Sequence, residues 1–236
     1  MSYEYIERNL REVREKMDAA CKKAGREEPV TMIAAVKYAE PGEIEYLYRE
    51  LGVRAVGENR VQQMLEHIEA LDCEGLEFHF IGTLQTNKVK YIIDKVKMIH
   101  SLDSLKLAAE IDKQAKKHGI TMDVLVEVNC GEEENKSGLR PDEVEDFCLS
   151  LTQYPHIRLR GFMTMAPKCE KIEDYRKYFQ ETSRQCLDIW QKKLHNISRP
   201  VLSMGMSDSF EPAIEEGSTV VRIGSALFRD SAQTKI

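Results

Sequence analysis

Val30-Thr31-Met32-Ile33-Ala34-Ala35-Val36-Lys37 is an apolar run that ends on an amine. The run reads as a strand, and period-two alternation puts Ile33, Ala35 and Lys37 on one face, with Met32, Ala34 and Val36 on the other. An amine at a strand end, beside a cavity rather than open water, loses its charge more readily and becomes a nucleophile toward an aldehyde. A solvated strand-terminal lysine produces the same pattern, so this strand alone does not decide the chemistry.

Working outward, Ile6, Leu10, Val13, Met17, Cys21 and Ala24 recur at helical spacing before Gly25, which predicts an amphipathic helix ahead of the strand. Beyond it, seven more strand candidates follow: Val53 to Gly57, Phe78 to Gly82, Met98 to Leu102, Asp123 to Asn129, Leu159 to Met163, Val201 to Met206 and Val220 to Gly224. Helical stretches lie between them. Val61, Met64, Leu65 and Ile68 share one face, as do Ile172, Tyr175, Phe179, Cys186, Trp190 and Leu194.

Strand alternating with helix implies parallel strands and right-handed crossovers. Eight strands without a Gly-rich dinucleotide turn after the first predict an α/β fold, a single parallel (β/α)8 TIM barrel with an additional N-terminal helix; an open doubly wound sheet is the alternative. No linker or repeat divides the chain, so residues 1–236 are expected to form one barrel domain. Only Arg229 to Ile236 follow the last strand, and the leading helix is expected to cover the surface a final helix would protect.

The net charge of -6 leaves no footprint for nucleic acid, and no segment reaches membrane-spanning length. The six cysteines form no close pair and have no His partner at zinc-finger spacing, which points to reduced thiols in a cytoplasmic protein without a structural metal. No long exposed apolar stripe stands out, so a monomer is expected.

A parallel barrel works at the C-terminal ends of its strands. Polar and small residues collect there: Lys37, Gly57-Glu58-Asn59-Arg60, Glu127 and Asn129, Gly205-Met206-Ser207, and Arg222-Ile223-Gly224-Ser225. Parity places Arg222 and Gly224 on one face, and a buried guanidinium requires an acceptor; a salt bridge with Glu127 or Glu58 would serve as well as a ligand atom. The small residues ending strands seven and eight let backbone N–H groups and hydroxyls approach phosphate oxygens. Set opposite a first-strand lysine, that cradle fits pyridoxal 5'-phosphate. His79, inside an apolar strand, reads as a hydrogen-bonded core histidine, and Met163, Met165, Met204 and Met206 as packing residues.

Seven ordered blocks resemble the pyridoxal phosphate homeostasis proteins, relatives of the N-terminal barrel of alanine racemase: Ala34-Ala35-Val36-Lys37, Gly57-Glu58-Asn59-Arg60, His79 to Lys88, Lys136-Ser137-Gly138, Gly161 to Met165, Ser203 to Asp208 and Val221 to Ser225. The resemblance implies that Lys37 forms the internal aldimine, that Ser207, Gly224 and Ser225 hold the phosphate, and that Arg222 faces the pyridine nitrogen. It also implies that Asn59 and Met206 line the ring site. After the lysine the chain reads Tyr38-Ala39-Glu40-Pro41, where many relatives have proline sooner.

The function expected from this resemblance is intracellular cofactor homeostasis, with no catalytic residue and with transient delivery to apo-enzymes as the partner relationship. Two other readings stand beside it. One is a racemase-like enzyme using Tyr38 or His79 as its base; the other is a cofactor-free Schiff-base aldolase.

Overall fold

The computed structural model describes residues 3–192 and 200–230. Eight parallel strands close a barrel in sequence order. They are β1 (Thr31–Ala35), β2 (Ala55–Glu58), β3 (Glu77–Phe80), β4 (Met98–Leu102), β5 (Met122–Val128), β6 (Ile157–Thr164), β7 (Val201–Ser203) and β8 (Val220–Ile223). Closure is made by β8 against β1, with Ile33 opposite Arg222 and Ala34 opposite Ile223. The expected barrel is the observed fold, and the open sheet is excluded by that last pairing.

The helices are α1 (Glu4–Lys23), α2 (Pro41–Arg49), α3 (Val61–Ala70), α4 (Val89–Ile92), α5 (Leu105–His118), α6 (Val144–Ser150), α7 (Ile172–Gln191), α8 (Phe210–Glu215) and α9 (Ser225–Phe228). In α1 the predicted Ile6, Leu10, Val13 and Met17 are buried, joined by Ala20, while Cys21 is half-buried and Ala24 sits at the helix end; Gly25 follows at φ +61°, a left-handed conformation that favours glycine. The helix packs against α8 and α9. Asn9 Nδ2 donates to the carbonyls of Leu227 (2.9 Å) and Arg229 (3.0 Å), so α1 covers the last, short helix as expected. On α7, Ile172 is exposed and Ile189 takes a buried place; Leu194 lies outside the described residues, as do residues 231–236 of the tail.

Only β4 has both of its expected ends; the other strands begin or stop one to three residues away from the sequence expectation, and two of these ends bear on the mouth. β1 stops at Ala35, although the Val36 N–H still reaches the Gly57 carbonyl at 3.0 Å. β7 is only three residues long because Gly205, at φ +89°, turns the chain where Met206 was expected to continue it.

Cross-strand register sorts the side chains into two faces. Val124, Val126 and Val128 on β5, with Phe80, Phe162, Ile99 and Ile223 from other strands, belong to the apolar layer packed under the helices. Inside the barrel a smaller cluster joins Met98, Leu125 and Met163, with Val201 packed against it. Among the described residues no helix is long and apolar enough to cross a membrane, and no group of three or more His, Cys, Asp or Glu could hold a metal ion.

Candidate functional site

Lys37 sits in the turn after β1, exposed, with Nζ 4.6 Å from the centroid of the Tyr38 ring. A cation resting on an aromatic face is weakly attracted to it. Burial beside a cavity was the expectation; the side chain instead lies at the surface, on a flexible four-carbon stem. Its backbone is held, since the Lys37 carbonyl accepts from Gln63 Nε2 on α3 at 2.7 Å.

Two residues upstream, Ala35 meets the end of β8. A Cβ on Gly224 would lie 3.1 Å from the Ala35 carbonyl oxygen and 3.3 Å from the Ala35 Cβ, so a larger side chain there would push the strands apart. Beside this contact the Ser207 hydroxyl accepts from the N–H groups of Gly224 (3.3 Å) and Ala226 (3.1 Å). The β7–α8 loop that carries Ser207 is laced to its surroundings: Met206 N–H donates to Ser209 Oγ at 3.2 Å, and Arg222 N–H to the Gly205 carbonyl at 3.1 Å. The structure therefore brings Ser207, Gly224 and Ser225 together and sets them against Ala35, the end of the strand whose following turn carries Lys37.

Arg222 lies deeper, 4 % exposed. Nη1 donates to the Ser203 carbonyl (2.7 Å) and hydroxyl (2.8 Å), and Nη2 to the Thr164 carbonyl (3.0 Å). Burial pulls its pKa down to about 10, against the pull of Glu127. The salt bridge that spacing left open is not made. Glu58 points to the opposite face and binds His67 Nδ1 at 2.5 Å, and Glu127 stays beyond ion-pair distance.

Asn59 is half-buried after β2, where a Cβ on Gly82 would come within 2.3 Å of its carbonyl oxygen, so only glycine lets these two backbones touch. Met206 is exposed and lines a cavity of about 370 Å³ at the β5 to β7 side of the mouth, together with Glu127. Lys37 does not line this cavity.

Below the mouth runs a polar chain that sequence reasoning mostly missed. His79 Nδ1 is 3.0 Å from His100 Nε2, and His100 Nδ1 is 3.1 Å from the Ser203 hydroxyl that Arg222 also binds. Burial holds the His79 pKa down to about 4 and that of His100 well below the ordinary value, so both rings are neutral at pH 7. His79 is thus the hydrogen-bonded core histidine the sequence suggested. His100 was legible only through parity with Met98, which faces the interior. Glu127 is pushed the other way: burial first, then Asp103, raise its pKa to about 7 despite Arg222.

A family model described as alanine racemase, N-terminal domain, matches residues 2–232, and that sets the class of barrel. A pyridoxal phosphate homeostasis protein of Aquifex aeolicus (strain VF5) is 45 % identical over 219 residues, covering 93 % of this chain and 95 % of that one. A protein of the same name from Escherichia coli (strain K12) is 34 % identical over 227 residues, covering 94 % and 95 %. Among solved structures, PipY of Synechococcus elongatus PCC7942, with PLP bound, superposes with a TM-score of 0.81 at 27 % identity, covering 95 % of this chain and all of that one. The chain belongs to the pyridoxal phosphate homeostasis protein family.

Proposed function

We propose that this chain binds pyridoxal 5'-phosphate at the barrel mouth, with Lys37 as its covalent attachment point, and serves homeostasis of that cofactor without catalytic turnover. The observation that carries the reading is the contact of Gly224 with Ala35, beside the Ser207 hydroxyl seated on the N–H groups of Gly224 and Ala226. It sets the end of the strand that leads into the Lys37 turn against a patch of hydrogen-bond donors suited to phosphate oxygens.

When bound, pyridoxal phosphate supplies an aldehyde that condenses reversibly with primary amines. The residues fit such a group. Ser207, Gly224 and Ser225 offer hydroxyl and backbone donors to its phosphate, and the missing Cβ of Gly224 keeps the approach open. Arg222 would face the pyridine nitrogen from below, and Asn59 and Met206 would border the ring. Lys37, exposed on a flexible stem, can reach a ligand and release it without moving the backbone that Gln63 anchors.

Absence of turnover is supported by Arg222. A guanidinium donates to an unprotonated ring nitrogen and opposes a second positive charge there, which weakens the ring as an electron sink. The candidate bases are poorly placed, since Tyr38 is 82 % exposed and His79 is buried against His100. A carrier of this kind would act in the cytoplasm, as one barrel domain and a monomer, passing its cofactor transiently to apo-enzymes that require it.

The test is an absorbance spectrum of the purified protein with added pyridoxal phosphate, before and after Lys37→Ala. A visible band present in the parent protein and lost in the variant is the expected result, with borohydride fixing the cofactor to Lys37. A parent protein that gains no visible absorption overturns the reading, and so does fixation at another lysine for the site. Incubation with L-amino acids should yield neither D-isomers nor keto acids; formation of either would establish the racemase-like alternative.

A further inference from the structure

Four polar side chains far apart in sequence cross the barrel interior from one wall to the other. His79 on β3 meets His100 on β4, His100 meets Ser203 on β7, and Ser203 meets Arg222 on β8. All four are buried, so their polar atoms depend on partners inside the protein. The two imidazole centroids lie 5.1 Å apart with planes at 78°, so the rings meet edgewise instead of stacking.

Arg222 sets the direction of this chain. A guanidinium only donates, so Ser203 Oγ accepts from Nη1 at 2.8 Å and its own proton is left for His100 Nδ1 at 3.1 Å. His100 is then protonated at Nε2, which donates to His79 Nδ1 at 3.0 Å, and His79 is protonated at Nε2 in turn. The reverse assignment fails. With a proton on His100 Nδ1, the Ser203 hydroxyl would accept twice and its hydrogen would face no acceptor among the described residues. In the forward direction every link has one donor and one acceptor. The buried side-chain atoms without a partner among the described residues, Glu58 Oε2, Ser101 Oγ and Arg160 Nε, all lie outside the chain. A second proton on His79 would set two N–H groups against each other, and one on His100 would face the Ser203 O–H. The lowered pKa values of both rings, caused first by burial, agree with this.

We infer that His100 is a positioning residue for Arg222: in its Nε2–H tautomer it takes the Ser203 proton, keeps a Ser203 lone pair turned to Nη1, and so holds the guanidinium in the pose that meets a ring nitrogen at the mouth. The ring nitrogen belongs to the cofactor reading, on which that last step rests; the chain itself rests on the hydrogen bonds alone. Without the imidazole acceptor, the Ser203 hydroxyl has no fixed direction. Arg222 then keeps the Ser203 and Thr164 carbonyls and loses its third fixed acceptor. His100 acts through Ser203 and not on the ligand.

Heteronuclear NMR of the isotope-labelled full chain, at neutral pH and without cofactor, reads both ring tautomers and the Arg222 Nη signals. Both rings should be Nε2–H. The Nη signals should stay separate in the parent protein and in His100→Asn, whose amide oxygen stands where Nδ1 was, and merge in His100→Leu. Pyridoxal phosphate and its analogue with C–H in place of the ring nitrogen are then titrated, each followed by its own absorption band. The parent's preference for pyridoxal phosphate should fall roughly threefold or more in His100→Leu and survive in His100→Asn. A general loosening of the barrel would weaken both aldehydes alike and leave that ratio unmoved. A proton on His100 Nδ1, an unchanged preference in His100→Leu, or equal loss in both variants overturns the inference. The tautomers are read on the parent protein, so they decide even where His100→Leu folds poorly. A parent that forms a band with neither aldehyde sinks the proposed function, while the tautomers and the Arg222 signals still decide this inference.

Discussion

The two faces of the same barrel strands are unlike. Outside, Phe80, Phe162, Val124, Val126 and Ile99 pack under the helices as one continuous apolar layer. Inside, Met98, Leu125, Met163 and Val201 form a small plug, and above it stand His79, His100, Ser203, Arg222 and Glu127. Each fully buried apolar side chain stabilises the fold by about 1.5 to 3 kcal/mol, so cohesion is concentrated in the outer layer. The inner face contributes directionality: hydrogen bonds that hold Arg222 in one pose beneath the mouth, and titrating groups held away from their ordinary pKa values.

The largest expected effect belongs to the outer layer. Phe162→Ala should lower unfolding free energy by about 3 to 5 kcal/mol in urea denaturation. A loss below about 1 kcal/mol would break the contrast, because it would mean that the helices do not depend on that face.

The next effect is internal and depends on pH. His79 falls from 6.5 in the ordinary state to about 4 in the fold, so between those values the unfolded chain binds more protons, and the stability His79 contributes above pH 6.5 drains as pH falls. Glu127 runs in the opposite sense. Its pKa rises from 4.5 to about 7, so its contribution is complete below pH 4.5 and is lost as pH climbs through 7. Glu127→Gln should therefore raise stability at pH 8 by up to about 3 kcal/mol and change it little at pH 4.5, measured by denaturation at both pH values. An equal change at both would show that burial is not what perturbs this acid.

The smallest effect sharpens the outer side of the comparison. Asn9→Ala removes two hydrogen bonds from α1 to the carbonyls of Leu227, in α9, and Arg229, just after it, and should cost about 1 kcal/mol in thermal unfolding. A much larger loss would give polar contacts a share in cohesion that the outer layer is expected to hold alone.

Most of the outer architecture was legible because it depends on repeated, local signals. Apolar runs separated by amphipathic stretches located all eight strands, and the stripe from Ile6 to Met17 located the leading helix. Strand ends were less legible, since they depend on single residues such as Gly205, whose left-handed turn shortens β7. The mouth was legible where parity reached it: Ser207, Gly224 and Ser225 come together, and Arg222 points inward. The partners of Arg222 were not. A carboxylate, a carbonyl or a ligand atom would each have served, and Ser203 with the Thr164 carbonyl satisfies the guanidinium across two other strands, a choice no local pattern singles out. The exposure of Lys37 was equally hidden, because parity gives the direction of a side chain at its strand and not the course of a long stem beyond it.

The Ser207 hydroxyl has a consequence for how firmly a guest is held. It already satisfies the N–H groups of Gly224 and Ala226, so an incoming anion gains only the difference between its own bonds and the ones it displaces. With each exchanged hydrogen bond worth on the order of 1 kcal/mol, this internal rival trims residence time by something like an order of magnitude or more. Such a latch favours reversible over permanent occupancy.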